Sequence, residues 1–211
     1  MLTFNKFIKK YQETKVLDIH EMSLNKGIYW LKGANGSGKS TLLKSLAGIL
    51  HFEGDVLLDK LVSVKKNKRE YRRLVNFAEA EPVFPEFLTG KELIDMFAEA
   101  KSGTNEQKEF YTQTIGLQPY LDQPLVTYSS GMLKKLSLIL AFMGKPKLIL
   151  LDEPLITVDL TSLEVLYNWI IERNKSEDTS FVLASHQSLD GSGIPVDAIL
   201  SINDKQLSLS K

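Results

Sequence analysis

Apolar residues occur in two kinds of pattern that alternate along the chain. Continuous apolar runs at Leu148–Leu151 and Phe181–Ala184 are typical of strands that are buried on both faces. Gly27–Lys32 predicts a further strand, and Ser40–Ala47, closed by Gly48, predicts a helix shortly after it. Because strands and helices alternate, the sequence predicts an α/β fold with a mainly parallel sheet.

Shorter signals complete the α/β part. Asp55–Asp59 predicts a short strand, and the tail from Ala198 onward predicts two short strands around Asn203 and Asp204. Thr161–Glu164 has the pattern of a capping box, so we expect a helix to begin there, between the two buried strands.

The middle of the chain carries helical signals. Thr89–Glu92 is a capping box with Leu88 and Leu93 placed as its hydrophobic staple, which predicts a helix start. Thr104–Gln107 is a second capping box, and Gly116 is expected to end the helix that it opens.

Helical signals of this kind fill the stretch from about 87 to 143, without a strand signal among them. We therefore expect one domain over residues 1–211. Its core would comprise about 1–86 and 144–211, and a helical subdomain would comprise about 87–143.

Charge and composition narrow the classes of partner. The 26 Lys and Arg residues balance 26 Asp and Glu residues, and a neutral chain does not favour nucleic acid as the main partner. Without cysteines there are no disulfides or thiolate metal sites, which fits a reducing cytosol. The first residues lack a signal-peptide pattern, and the longest apolar run, Leu136–Met143, is far below the roughly 18 residues of a membrane span. We expect a soluble, cytoplasmic chain.

One stretch, Lys65–Arg73, is strongly basic. A cluster of this kind is usually a solvated face of the protein. A patch for lipid headgroups or nucleic acid is the alternative.

Gly33–Ser40 satisfies the pattern G-x-x-x-x-G-K-[ST] between a predicted strand and a predicted helix. Glycines let successive N–H groups face phosphates, and the helix N-terminus adds its positive end. Lys39 is expected to reach the β- and γ-phosphates, and an accidental match in a chain of this size has a chance on the order of one in a hundred. The expected ATP contacts are Gly33, Asn35, Gly36, Ser37, Gly38, Lys39, Ser40 and Thr41, of which Ser40 would also bind Mg²⁺.

Two carboxylates follow the apolar run at Leu148–Leu151. They are expected at the carboxyl edge of the sheet, where ligands bind in open α/β folds. Asp152 would hold Mg²⁺, and Glu153 would act as general base towards the attacking water. The alternative is a polar strand end before the turn at Pro154.

The sequence YSSGMLKKL, Tyr128–Leu136, predicts a helix that runs from about Met132 with Ser129 or Ser130 as its N-cap. A kinase or GTPase has no evident use for a second anion-binding helix start so far beyond its phosphate loop. This segment therefore separates the candidate families.

In their order along the chain, the phosphate loop, helical insert, Ser-Gly helix start and Asp-Glu strand end resemble an ATP-binding cassette (ABC) over nearly the whole sequence. The resemblance implies a P-loop NTPase core with a mainly parallel sheet, an antiparallel β part and a helical insert subdomain. It also implies a dimer that encloses two ATP molecules. Ser129 and Gly131 of one copy would then face the γ-phosphate held by the other copy.

Three further positions match functional residues of that family. Tyr11 is similar to the aromatic residue that stacks on adenine, although Phe7 is a rival for the role. Asp159 matches the aspartate that contacts the opposite protomer. His186 matches the switch histidine near the γ-phosphate, and it joins Glu153 as a catalytic residue.

The chain departs from the common family pattern at three places. Tyr128–Met132 replaces the commonest Leu-Ser-Gly-Gly-Gln and resembles a variant found in exporter-type cassettes, while Thr157 and Val158 are a mild change ahead of Asp159. Ala80 occupies the position of a glutamine that touches Mg²⁺ and the attacking water. A methyl group can do neither, so Glu79 or Glu81 would have to substitute for the glutamine. We expect ATP binding to persist, and hydrolysis to persist because Glu153 and His186 remain, with an altered rate and altered coupling to a partner.

The resemblance implies an ATP-hydrolysing subunit of an ABC transporter on the cytoplasmic face of a membrane. Its partners would be a transmembrane permease and a second, similar subunit, and a groove near Phe77–Phe87 would receive a cytoplasmic helix of the permease. The alternatives are a soluble cassette that acts on nucleic acid or ribosomes, and an ATP-dependent regulator with little hydrolysis because of Ala80. A small-molecule kinase would leave Tyr128–Gly131 unexplained.

Overall fold

The computed structural model describes residues 1–187, 189 and 191–210. The strands are β1 (Leu2–Tyr11), β2 (Thr14–Leu24), β3 (Ile28–Lys32), β4 (Glu53–Leu58), β5 (Val62–Ser63), β6 (Val75–Ala78), β7 (Leu148–Asp152), β8 (Ser180–Ala184), β9 (Ala198–Asn203) and β10 (Gln206–Ser210). The α-helices are α1 (Lys39–Leu46), α2 (Lys68–Leu74), α3 (Gly90–Lys101), α4 (Asn105–Thr114), α5 (Ser130–Phe142) and α6 (Leu160–Glu177). Short 3-10 helices lie at Gln118–Tyr120 and Leu125–Thr127.

The larger sheet has the strand order β10-β9-β3-β8-β7-β6 and is parallel except for the pair β9–β10. Every residue of β7 and β8 is buried. On β7, Ile149 and Leu151 pack in a hydrophobic cluster with the helices, whereas Leu148 and Leu150 pack in a second cluster with the smaller sheet. The predicted α/β fold with a mainly parallel sheet is confirmed.

The smaller sheet is antiparallel, with the order β2-β1-β4-β5. Leu2, Phe4 and Phe7 of β1 are buried beneath it, but the strict alternation of buried positions breaks after Phe4. The reason is a bulge, since Lys6 has a φ of 49° and the pairing with β4 shifts register there. Gly54 on β4 faces this bulge, where a Cβ would collide with the Lys6 carbonyl oxygen.

The helices α3 and α4 begin at their predicted capping boxes, and α4 ends where the sequence predicts. Thr89 and Thr104 are the N-caps of α3 and α4, each within a complete capping box, and Gly116, with a φ of 73°, follows the end of α4. All the elements described between Gly90 and Phe142 are helical. The division of the chain into a core and a helical subdomain at about 87–143 stays a prediction. In the part of the chain that is described, no helix has the length and hydropathy that crossing a membrane requires.

The predicted start of α6 was wrong. The N-cap is Asp159, whose carboxylate accepts hydrogen bonds from the backbone N–H and the hydroxyl of Ser162 at 2.9 and 3.0 Å. An aspartate is a strong N-cap, so the helix begins ahead of the expected box at Thr161–Glu164 and Thr161 lies inside its first turn. The same aspartate was expected at the dimer contact, so it has a structural task as well.

Candidate nucleotide-binding site

The glycine-rich loop between β3 and α1 forms a concave backbone surface. Gly36 and Gly38 have φ values of 77° and 107°, which glycine adopts without steric cost. A side chain at Gly33 would collide with Oγ of Ser37. Gly38 is the N-cap of α1, and no side chain within the described residues caps that helix start. The first N–H groups of α1 are therefore available to an anion.

Lys39 holds its ammonium over this loop. Its Nζ donates to two carbonyl oxygens of the loop at 2.8 and 3.2 Å and lies 3.3 Å from Nε2 of His186. Burial lowers the pKa of Lys39, while the charges of Glu153 and Asp152 act in the opposite direction. The ammonium thus faces both the loop backbone and the carboxylates at the end of β7.

Asp152 ends β7 and is buried. Burial raises the pKa of Asp152, a hydrogen bond from Ser40 lowers it, and the neighbouring charge of Glu153 raises it further. Its Oδ1 has no hydrogen-bond partner in the described part of the chain. A carboxylate oxygen beside a hydroxyl suits Mg²⁺, which takes one or two protein ligands and completes its shell with phosphate and water. These residues fit the metal ion that the sequence predicts.

Glu153 follows directly in a strained conformation, with a φ of 43° that is unusual for a residue with a side chain. Its N–H donates to the carbonyl of Ala184 at 2.9 Å, which ties it to the end of β8. Its carboxylate accepts from the backbone N–H of His186 at 3.3 Å and lies 3.2 Å from that residue's Nε2. Glu153 is only 8% exposed, so it forms the floor of the site.

The helix start at Ser129 is exposed and is not joined to the phosphate loop of its own chain by any described hydrogen bond. Ser129 is the N-cap of α5, accepts a hydrogen bond from the N–H of Met132 at 3.2 Å, and is exposed. The helix begins at Ser130, ahead of the predicted Met132. A Cβ on Gly131 would lie 2.9 Å from the carbonyl oxygen of Thr157, so glycine allows the close approach of that loop. No hydrogen bond described within the chain joins this helix start to the phosphate loop.

Asp159 lies on the exposed loop beside that helix start. Its carboxylate pairs with Lys135 of α5 at 2.7 Å. The hydrogen bonds from Lys135 and from the Ser162 backbone hold the pKa of Asp159 well below its usual range. The apolar side chains of Ile156, on the same loop, and Leu160, the first residue of α6, are 44% and 80% exposed. This loop and the start of α5 form one surface that faces away from the protein core.

Tyr11 ends β1 and is 48% exposed, with Nζ of Lys9 at 4.5 Å from its ring centre. The rival aromatic, Phe7, is fully buried and packs on the rings of Phe4 and Phe52. Only Tyr11 of these two has a ring face that a nucleotide base could reach. Its assignment to adenine remains a prediction.

Three residues at the site were not singled out from the sequence. Val16 packs against the phosphate loop, where a Cβ added to Gly38 would lie 3.2 Å from it. Lys44 of α1 forms an ion pair with Glu79. Lys134 of α5 is fully buried, and burial lowers its pKa to about 8 against the opposing effect of Asp152, Glu153 and Glu79. The sequence gives no sign of this burial, because Lys134 stands beside a second lysine, Lys135, in a pair that looks solvent-exposed.

A second concave surface lies apart from the phosphate loop, between α2, β6 and α3. Its volume is about 980 Å³. It has apolar residues on its floor and the basic stretch of α2 along one wall, namely Ala47, Ile49, Phe77, Met96, Lys68, Arg69, Arg72 and Arg73. The predicted solvated face at Lys65–Arg73 is therefore also the wall of a groove.

Known proteins resemble the chain over most of its length. Residues 17–156 match the family model described as ABC transporter. A cytochrome c biogenesis ATP-binding export protein of Legionella pneumophila is 34% identical over 166 residues, which are 77% of this chain and 80% of that protein. A putative ABC transporter ATP-binding protein of Pyrococcus furiosus is 30% identical over 210 residues, which are 95% of this chain and 76% of that protein.

Solved structures share the fold. One described as the ATP-binding subunit of an ABC transporter has a TM-score of 0.89 at 21% identity, covering 100% of this chain and 90% of that one. A dimeric ATP-binding cassette in a post-hydrolysis state, bound to ADP and phosphate, has a TM-score of 0.85 at 18% identity, covering 100% and 98%. At these identities the likeness concerns the fold alone.

Proposed function

The chain belongs to the ABC transporter family, and we propose that it binds Mg-ATP, dimerises around it and hydrolyses it to drive a separate membrane-spanning protein. One observation carries this proposal. Nε2 of His186 lies 3.3 Å from Nζ of Lys39 and 3.2 Å from Oε1 of Glu153. A phosphate-binding cation, a carboxylate base and an imidazole thus share one edge of the sheet.

The phosphate loop would hold the nucleotide. The open N–H groups at the start of α1 and the ammonium of Lys39 would bind the phosphates, and Tyr11 would stack on the adenine. Ser40 and the free Oδ1 of Asp152 would hold Mg²⁺, which when bound neutralises charge on the phosphate oxygens.

Glu153 would act as general base. Its buried carboxylate would accept a proton from the water that attacks the γ-phosphorus, as the bond from that phosphorus to the bridging oxygen of ADP breaks. His186 lies beside both Glu153 and Lys39, so it would position the γ-phosphate between them. The strained backbone at Glu153 fixes the carboxylate for this task.

The second half of the site would come from another subunit. Ser129 and Gly131 present an exposed helix start, which binds anions through its N–H groups and positive dipole end. Asp159, with exposed Ile156 and Leu160 beside it, would contact the opposite copy. Ser129 and Gly131 would then bind the γ-phosphate held by Lys39 of that copy. A homodimer is the simplest assembly with this symmetry.

The groove between α2 and α3 would receive the membrane partner at the cytoplasmic face of the membrane. Its apolar floor suits one face of an amphipathic helix, and the basic side chains of Arg69 and Arg73 suit acidic residues on the other. A cytoplasmic helix of a permease would bind here if it carried one apolar face and acidic residues on the other. Phe77, at one end of the predicted contact segment Phe77–Phe87, lines this groove. The rest of the lining comes largely from α2 and α3 and not from the residues that follow Phe77 towards Phe87.

Ala80 favours a second candidate function, an ATP-dependent regulator with little hydrolysis. Steady-state phosphate release separates the two functions. For an ATPase, wild type should release phosphate much faster than Glu153→Gln. For a regulator, the two proteins should be indistinguishable while both bind ATP.

Affinity capture tests the transporter proposal. Tagged Glu153→Gln protein is incubated with Mg-ATP and detergent-solubilised membranes of its own source, and the retained proteins are identified by mass spectrometry. The matched control adds Arg69→Glu and Arg73→Glu, which reverse the charge of the groove wall. We expect a multispanning protein in stoichiometric amount from the first sample and its loss from the second. Recovery of only soluble or ribosomal proteins would overturn the membrane part of the proposal.

A further inference from the structure

Lys134 is a buried cation in a helix whose other inward positions are mainly apolar. It is 0% exposed, and its Nζ donates to the carbonyl oxygens of Glu79, Ala80 and Asp152 at 2.8, 3.1 and 2.9 Å. An ammonium has three N–H donors, so each has one acceptor. No ion pair with Lys134 is found among the described residues.

Packing alone does not account for this residue. A buried charge costs free energy even when it is fully hydrogen-bonded, and an apolar side chain of similar volume is often as stable or more stable at such a position. A lysine that serves only the core could therefore be replaced by methionine. Its three acceptors suggest a different task, because all of them lie at the edge of the nucleotide site.

The three carbonyls belong to two segments that the proposed chemistry uses. Asp152 is the expected metal ligand and precedes Glu153, while Glu79 and Ala80 follow β6 where the family has its glutamine. Lys134 itself lies shortly after Ser129 at the start of α5. The Glu79 side chain is also paired with Lys44 of α1, the helix that begins at the phosphate loop.

The segment Glu79–Ala80 is thus connected to both helices whose N-termini would face phosphates. Lys44 ties it to α1, and Lys134 ties it to α5 and to the end of β7. A displacement of α5, when its start meets the nucleotide of the opposite copy, would be passed to the backbone that carries Asp152 and Glu153. Ala80 has no side chain that could make this connection, so the backbone carbonyls make it.

We propose that Lys134 is a positioning residue for ATP hydrolysis, holding Glu79–Ala80 against Asp152 so that the start of α5 and the catalytic edge move as one unit. This rests on the function proposed above. All three N–H donors of Lys134 are used by backbone carbonyls, so we expect its loss to lower kcat without changing KM for Mg-ATP.

The absence of cysteine from the chain allows a clean test. Lys134→Cys is unfolded, alkylated and refolded in two forms. Bromoethylamine gives an aminoethyl side chain that reproduces the lysine ammonium, and iodoethane gives an ethyl side chain without charge. The matched control is Lys101→Cys treated in the same two ways, because Lys101 also donates to backbone carbonyls, those of Arg72 and Val75, but away from the site.

Two quantities are measured for each form: kcat and KM for Mg-ATP, and the hydrogen exchange rates of the amides at Glu79, Ala80 and Glu81. For the ethyl form at 134 we expect at least a tenfold lower kcat, KM within twofold of wild type, and at least tenfold faster exchange. The aminoethyl form should restore both quantities to within twofold. The ethyl form at 101 should have a lower Tm than wild type, with unchanged kinetic constants and unchanged exchange rates at residues 79–81.

The proposal is overturned if the ethyl form at 134 behaves like wild type, or if the aminoethyl and ethyl forms are equally impaired. Should the ethyl form fail to refold, Lys134→Gln, expressed without refolding, takes its place and must show lower kcat and faster exchange. If wild type and Glu153→Gln release phosphate equally slowly, the proposed hydrolysis fails. The exchange rates at 79–81 still decide the role of Lys134 in that case.

Discussion

Oε1 of Glu153 lies 3.2 Å from Nε2 of His186, although the two residues are 33 positions apart in the sequence. Strand pairing brings them together. Asp152 and Ala184 are opposite each other at the ends of the parallel strands β7 and β8, and the N–H of Glu153 continues that pairing by donating to Ala184 O at 2.9 Å. The sheet itself therefore sets the distance between the proposed base and the histidine.

Glu153 is the proposed general base, so its replacement should slow hydrolysis and leave ATP binding intact. We expect Glu153→Gln to lower the steady-state rate of phosphate release by at least about 100-fold, a common contribution of a general base. ATP-bound dimers should then accumulate and be visible by size-exclusion chromatography with light scattering. Glu164→Gln, at an exposed position of α6, is the control and should retain the wild-type rate. A Glu153→Gln protein with normal turnover would exclude Glu153 as the base.

The proposed role of Ser129 across the dimer can be separated from its role as N-cap of α5. Asp and Asn are both good N-caps, so Ser129→Asp and Ser129→Asn should each keep the start of α5 intact. Only the aspartate places a negative charge opposite the γ-phosphate of the other copy. In the Glu153→Gln background we expect Asp to prevent the ATP-dependent dimer and Asn to allow it, while both monomers bind ATP as wild type does.

The observation that would contradict this assignment is a loss of monomer affinity. If Ser129→Asp weakened ATP binding as strongly as Lys39→Ala, measured by titration calorimetry, Ser129 would act on the nucleotide of its own chain.

Local signals in the sequence predicted much of the fold. The boxes at Thr89 and Thr104 identified the starts of α3 and α4, because a capping box is complete within one helical turn. The apolar runs of β7 and β8 predicted burial on both faces. The start of α6 was missed because two nearby residues, Asp159 and Thr161, are both suitable N-caps. The hydrogen bonds from Ser162 that make Asp159 the N-cap are not part of the capping-box pattern.

Other features depend on tertiary contacts. The long strand β1 has no clear period-two signal because the bulge at Lys6 shifts its inward side chains. The burial of Lys134 could not be predicted, since the adjacent Lys135 reaches the surface and pairs with Asp159. Among the site residues, the loop motif identifies Lys39 from spacing alone. The proximity of Glu153 and His186 follows only from the order of strands in the sheet.

The buried phenol of Tyr111 should make the free energy of unfolding fall as the pH rises through the alkaline range. Burial raises its pKa to about 12 from the usual value near 10, with Arg173 acting against this and Glu177 and Glu172 in favour. Above pH 10 the unfolded chain loses this proton first, so the stabilising contribution is complete below pH 10 and is lost as the pH approaches 12. The loss has an upper bound of about 2.7 kcal/mol for two pKa units.

Urea denaturation of wild type and Tyr111→Phe from pH 8 to 11.5 measures this effect. The two proteins should have similar free energies of unfolding at pH 8. Above pH 10 the free energy of unfolding should fall more steeply for wild type than for Tyr111→Phe. Tyr120→Phe, which removes an exposed phenol, should follow wild type throughout. A constant difference between Tyr111→Phe and wild type across the range would contradict the expectation.

Ala80 is the position at which restoring a family feature should increase activity. It is half-buried at the edge of the site, and Lys134 already holds its carbonyl at 3.1 Å, so a longer side chain would extend from a fixed backbone. We expect Ala80→Gln to raise kcat roughly tenfold, equivalent to about 1.4 kcal/mol of transition-state stabilisation, because an amide oxygen can contact both Mg²⁺ and the attacking water. Ala80→Met has similar volume without the amide and should show no increase. Equal rates for the Gln and Met variants, measured by phosphate release at saturating Mg-ATP, would mean that the missing glutamine does not limit hydrolysis in this protein.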